Sequence, residues 1–307
     1  MQTLDNGKIK ICVNEKGAEL VSVVCEGREY LWQGDPEFWG RHSPVLFPIV
    51  GSVFNKKYRS HGKEYTLGQH GFARDTDFTF VGKSDDEVWF ELDSSPETKE
   101  KYPYDFKLEI GYKLADRGVK VMWKVTNPSA DEDMYFQIGA HPAFHWPLLP
   151  DEAIAAGTEA MKAVLARSTD RGWARISDSE KEFACAQVAK AGGFAPESFY
   201  PLKSDADGLI PLSTSSFDDE AIVFDDSQLN EVTICDADKK PYLTVSFDAP
   251  VVALWSPPGK NAPFVCIEPW YGRADDAGYT GLYENKRRIQ KLGRGETRLM
   301  SYTITIE

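Results

Sequence analysis

The sequence lacks an excess of positive charge. Its formal net charge is -13 and its pI about 5.0. A nucleic-acid partner requires a basic face, so that class is disfavoured; an anionic membrane surface is disfavoured for the same reason. A local basic pocket inside an acidic protein stays open. Long apolar runs are missing too, since none approaches the roughly 18 residues that a membrane span needs. Met1-Gln2-Thr3-Leu4-Asp5-Asn6 has no charged segment leading into an apolar one, so no signal peptide is expected. Cysteine is scarce. Cys12, Cys25, Cys185, Cys235 and Cys266 are odd in number, scattered and mostly set in apolar runs, with no Cys-x-x-Cys pair. They read as buried reduced thiols of a cytoplasmic protein.

Phosphate-cradling loops are also absent. Gly82-Lys83-Ser84 has the tail of a P-loop, but Asp77 stands where the first glycine must be. Gly293-Arg294-Gly295 lacks both a third glycine and a βαβ setting. There is no Gly-x-Ser-x-Gly elbow. Asn127-Pro128-Ser129 is barred from glycosylation by its proline.

What the chain does have is strand after strand. Apolar residues make up 42% of the 307 positions, enough for a sizeable core. Lys8 to Val13 alternates apolar and polar residues as a half-buried strand does. Ala18 to Cys25 and Tyr30 to Trp32 flank a turn, and Tyr58 to Leu67 folds back around His61-Gly62-Lys63. Trp39 to Gly51 carries prolines and glycines that disfavour a helix or a central strand, so it reads as an ordered buried loop. Strands follow at Phe78–Val81, Glu87–Leu92, Asp105–Tyr112 and Gly118–Asn127, then at Ala221–Phe224, Glu231–Cys235, Tyr242–Phe247, Val251–Trp255, Phe264–Glu268 and Glu296–Glu307. Short, evenly spaced strands indicate an all-β fold, a large antiparallel sandwich or barrel, in one domain spanning 1–307. Residues 151–192 break the rhythm. The run Asp151 to Arg167 is rich in helix formers, and Ser177-Asp178-Ser179-Glu180 has capping-box spacing before a run to Lys190 and Gly192-Gly193. Both are expected to be helical, as an insertion on the β framework.

Three segments carry ionisable groups beside apolar, aromatic strands: Gln69-His70-Gly71-Phe72-Ala73-Arg74, Gly139-Ala140-His141-Pro142-Ala143-Phe144-His145-Trp146-Pro147 and Cys266-Ile267-Glu268-Pro269-Trp270. They are expected to meet in one pocket. Glu268 ends an apolar strand, so its carboxylate is partly buried and needs partners. It is either a structural ion pair with an arginine such as Arg74 or Arg273, or a general base. His70 taken alone fits an ordinary core histidine. Trp270, Tyr271 and Phe144 fit core packing or a stacking surface for a sugar. His141 and His145 resemble a helical metal pair in spacing, but Pro142 and Pro147 oppose a helix. On a strand the two lie about 13 Å apart, too far for zinc bonds near 2 Å. No metal and no cofactor is expected.

Trp39 to Gly51, Gln69 to Arg74, Gly139 to Phe144, and Leu254-Trp255-Ser256-Pro257 through Trp270 together resemble the aldose 1-epimerases, the galactose mutarotase-like proteins, and within them the LacX-like branch. The resemblance covers nearly the whole chain, with the motifs in the same order. It implies a large β-sandwich with a carbohydrate cleft and an isomerase of carbohydrate metabolism needing no cofactor. It further implies Glu268 as general base, His141 as general acid, His70 as a second histidine binding the sugar, and Arg74 as a contact to substrate oxygens. Trp270 joins them as a substrate-binding candidate. Ser52 stands where the family often has arginine, so a substrate-binding cation is either missing or replaced by Lys56. Glu220 stands where the branch often has aspartate. Both changes bear on which sugar is bound more than on the reaction. The expected partner is a small sugar, an aldohexose or its phosphate, and the expected assembly a monomer or homodimer.

Overall fold

The computed structural model describes residues 1–167, 170–189 and 193–307. Two antiparallel sheets dominate. Nine strands form one of them, in the order Leu209–Ser213, Asp170–Arg175, Glu231–Cys235, Pro241–Phe247, Thr297–Ile306, Gly118–Thr126, Lys107–Ala115, Glu87–Asp93, Thr79–Lys83. The other runs Phe194–Lys203, Glu182–Val188, Ile222–Phe224, Val251–Trp255, Phe264–Tyr271, Ile138–Ala140, Val45–Leu46, with Ala143–His145 also paired to Phe264–Tyr271. Most side chains that alternate inward from both sheets merge into one core, which takes in residues from Leu4 to Ile306. The fold is thus the predominantly β sandwich expected, with little helix. No helix among the described residues is long and apolar enough to cross a membrane.

The strand Phe264–Tyr271 organises the site because both of its faces are buried. Successive side chains point to opposite faces of a sheet. Val265, Ile267 and Tyr271 enter the main core between the sheets. Phe264 and Cys266 join a second apolar cluster and Trp270 a third, both on the opposite face. Glu268 shares that parity, and the residue opposite it in register is Ala253, small enough to leave room.

The insertion is helical only in its first half. Asp151–Ala156 and Thr158–Leu165 are helices that meet at Gly157, whose φ of 86° breaks the run. The second expected helix is instead a strand, Glu182–Val188, paired with Phe194–Lys203. Ser177 does not cap a helix: its hydroxyl donates to the carbonyl of Ser179 and contacts Ser204. Phe183 and Cys185 are buried while Glu182 and Ala184 are exposed. That two-residue period outweighs the helix propensity of the neighbouring alanines and lysines. The expected end of that helix at 190–192 lies outside the described residues.

Candidate active site

Glu268 and His141 face each other across the outer surface of the eight-stranded sheet. Glu268 is 2% exposed and His141 7%. Glu268 Oε2 lies 3.3 Å from His141 Nε2. His141 follows the strand Ile138–Ala140, and the amide of Ile267 donates to the carbonyl of Pro142, holding this corner against the strand that carries Glu268. Among the described residues, neither Glu268 Oε2 nor His141 Nδ1 completes a hydrogen bond. The indole of Trp270 comes near enough to favour the carboxylate, yet its N–H is unsatisfied as well. Two buried groups thus face each other with bonding capacity to spare.

Burial sets the protonation of both. It raises Glu268 well above the usual carboxylate range, with Trp270 opposing weakly. It pushes His141 down to about 3; the histidine's own backbone opposes this, and the cations Arg74 and Arg41 add to it. Desolvation thus favours the neutral form of each partner, a protonated carboxyl beside a neutral imidazole. A carboxylate beside an imidazole ordinarily favours the charged ring; here the loss of water around both groups outweighs that attraction.

His70 is not simply a core histidine. Its φ of 64° and the φ of 72° at Gly71 form a left-handed corner, where a Cβ on Gly71 would lie 2.1 Å from the carbonyl of Phe47. The corner docks on Gly51: the His70 amide donates to the Gly51 carbonyl at 2.7 Å. In return, the Gly51 amide donates to His70 Nδ1 at 3.0 Å. With Nδ1 accepting, the ring proton sits on Nε2 as a fixed donor. Burial keeps the ring neutral, and so do His141, Arg74 and Arg41. The two imidazoles meet edge to face, their centroids 5.6 Å apart.

Arg74 is held by its donation to the carbonyl of Gln69 at 2.9 Å, while its buried Nε completes no hydrogen bond and lies 3.8 Å from Asp75 Oδ2. Burial and the neighbouring Arg41 push its pKa down to about 10. Arg41 donates to Asp75 at 2.9 Å. Neither Arg74 nor Arg273 pairs with Glu268: Arg273 binds Asp225 and Asp276. Lys56 and Glu220 are exposed, and no hydrogen bond, ion pair or ring contact joins either to this cluster. Phe144 lies in the main core. Tyr271 does too, with its hydroxyl donating to Asp248.

Sequence reasoning did not single out the aromatic walls or the second cation. Trp39 stacks on His141, centroids 4.8 Å apart at 26°, and Trp255 meets the same ring edge-on at 5.4 Å. Both tryptophans stand in segments that carried the resemblance; Trp39 lies on a loop, where a residue's direction is not readable from its spacing, whereas Trp255 ends the strand Val251–Trp255. Arg41 is two residues beyond Trp39. The helical half of the insertion braces this loop: Thr158 donates to Asp35, Lys162 pairs with Glu37, and Met161 and Leu165 pack with Phe38 and Trp32. Cys266 also belongs to the site. Its sulfur, a ring nitrogen of His141 and a carboxylate oxygen of Glu268 all lie within 4.8 Å of one another. Its place two residues before Glu268 was the available signal. His145 is elsewhere, edge-on to Trp32 at 6.0 Å. A surface opening lined by Leu165, Arg167, Thr214 and Asn261 among others includes none of Glu268, His141, His70, Arg74 or Cys266 in its lining.

Comparison with known proteins bears on this arrangement. The family model for aldose 1-epimerase matches residues 1–276. The chain is 30% identical over 316 aligned residues to the chromosomal protein LacX of Lactococcus lactis subsp. lactis, covering 99% of this chain and 98% of that protein. It superposes on a galactose mutarotase related enzyme from Lactobacillus acidophilus with a TM-score of 0.86 and 32% identity, over 100% of this chain and 97% of that one. For a galactose mutarotase-like protein from Lactobacillus casei the TM-score is 0.83 and the identity 28%, with 100% of both chains covered. The family model spans most of the chain and the similarity to LacX runs along almost its full length, so the chain belongs to the aldose 1-epimerase family.

Proposed function

We propose that this protein is a mutarotase, an isomerase that interconverts the α and β anomers of an aldohexose by opening and reclosing the ring. The observation that carries the reading is the buried pair, Glu268 Oε2 3.3 Å from His141 Nε2. Ring opening needs a base at the anomeric hydroxyl and an acid at the ring oxygen. Glu268 takes the hydroxyl proton and His141 gives one to the ring oxygen. The C1–C2 bond turns, and closure on the other face reverses both transfers. Before this, the single proton of the pair passes from Glu268 to His141 across their contact, helped by sugar hydroxyls that replace lost water. Each transfer contributes about 10²–10⁴-fold, or roughly 3–5 kcal/mol. His70 Nε2–H is a fixed donor to a sugar oxygen, and Arg74 a second. Trp270 borders Glu268, and Trp39 and Trp255 offer faces to the apolar side of the ring.

Within the family, the identity to LacX supports the LacX-like branch. Lys56 and Glu220 are assigned to the rim: Glu220 adjoins Ala221, which packs with the cluster that contains Trp270. A second reading, a hexose 6-phosphate as substrate, is favoured by two cations, Arg41 and Arg74, whose fields both reach His70 and His141. The site is assigned to a single 1–307 domain of a cytoplasmic protein.

The test is polarimetry on fresh α-D-glucose, α-D-galactose and glucose 6-phosphate. Glu268→Gln and His141→Asn each lower the rate by about tenfold or more. Variants as fast as the parent discard the assignment. Faster turnover of the phosphate than of glucose selects the second reading.

A further inference from the structure

We propose that the same buried cluster binds a thiophilic divalent cation, zinc above all, through Cys266, His141 and Glu268, and that the cation blocks the site. The three ligand atoms lie within 4.8 Å of one another and all three residues are buried. A tetrahedral zinc with bonds of 2.0–2.3 Å holds its ligands about 3.5 Å apart. The imidazole and carboxylate are already 3.3 Å apart. Small rotations of Cys266 and Glu268, neighbours on one face of one strand, bring the rest into range.

Two further observations point to a ligand. Glu268 Oε2 is buried and completes no hydrogen bond, so the site is short of polar company before anything enters it. One nitrogen, one thiolate and one carboxylate form a donor set that suits zinc, whereas magnesium and calcium prefer oxygen alone. Charge also balances. The thiol and the carboxyl each release a proton on binding, and the two anions so formed neutralise the dication. That matters beside Arg41 and Arg74, which would repel an uncompensated cation. Water fills the fourth position.

With zinc in place, both groups assigned to proton transfer are metal ligands and neither can move a proton. That consequence rests on the mutarotase reading; the binding does not. The test therefore has two arms. Protein stripped with a chelator is titrated with cobalt(II) in the absence of sugar. A thiolate-to-cobalt charge-transfer band in the near ultraviolet, saturating at one equivalent, is expected. Cys266→Ser abolishes it, and His141→Asn, which keeps the thiol, weakens or removes it. Near-ultraviolet circular dichroism checks the fold of each variant. No band in the parent protein overturns the proposal, and so does an unchanged band in a folded Cys266→Ser protein, since other cysteines would then be binding the metal. In the second arm, zinc slows mutarotation and a chelator restores it. Inhibition of Cys266→Ser, scaled to its own zinc-free rate, needs about tenfold more zinc or greater. Equal sensitivity of parent and variant overturns the proposal. If the parent shows no mutarotation, the function reading fails while the cobalt arm still reports on the metal.

Discussion

Two buried ionic clusters lie within this protein and they are built differently. Around Asp225, 1% exposed, Arg273 Nη1 donates at 3.1 Å and Arg288 Nε at 2.7 Å, while Arg287 lies at 3.6 Å. Beside it, Asp275 takes Lys286 and the amide of Phe54. Among the described residues, no side-chain atom of Asp225, Arg273, Asp275 or Lys286 is buried without a partner. The Glu268–His141 cluster is the opposite: it is just as dry, but Glu268 Oε2, His141 Nδ1 and Trp270 Nε1 complete no hydrogen bond. A satisfied buried ion network fixes loops in place, whereas leftover polar capacity in a dry setting is poised for a guest with hydroxyl groups.

The largest effect that would break this contrast is on stability. Lys286→Met strands Asp275 and is expected to cost about 3–5 kcal/mol in urea unfolding, without altering mutarotation by the protein that remains folded. A loss below about 1 kcal/mol would mean that the satisfied cluster is decoration.

Acid sharpens the contrast next. Burial holds His145 down at about 4, with a backbone carbonyl at Pro263 opposing. The unfolded chain takes up that proton as pH falls below about 6.5, while the folded chain resists until near the lower value. Stability is therefore full above about 6.5 and drains away on the acid side. His145→Phe is expected to remove roughly 3 kcal/mol from the loss between pH 7 and pH 4; unfolding curves at the two pH values that match the parent would contradict the burial argument.

The smallest expected change is at the site itself. Glu268→Gln is expected to shift stability by less than about 1 kcal/mol, because it removes a carboxyl that completes no hydrogen bond. A loss as great as that of Lys286→Met would show that Glu268 holds the structure together.

Much of this was legible in the sequence because it rests on short-range pattern. Alternation found many of the strands, Ile9–Val13 and Thr297–Ile306 within a residue, but it stopped Phe264–Tyr271 three residues short and gave no strand at Asp170–Arg175, Phe194–Lys203 or Leu209–Ser213. It failed at Glu182–Val188, where the partner Phe194–Lys203 decides the outcome and local propensity points to helix. The meeting of Glu268 with His141 was expected from motif resemblance, yet its protonation was not, because desolvation belongs to the assembled fold. Arg41 and Trp39 escaped notice for a related reason: both sit on an irregular loop whose path is set by contacts with helices more than a hundred residues later.

The two-faced strand Phe264–Tyr271 has one more implication, for how such a protein could change over time. Sliding it by a single residue would bury Glu268 among the aliphatic side chains of the interior and turn Ile267 out to the face that Glu268 now occupies. Chemistry and scaffold are therefore riveted to one length of backbone and cannot drift apart. The 33–43 loop and its helical buttress are under no such constraint and can be rebuilt while Glu268 and His141 stay where they are.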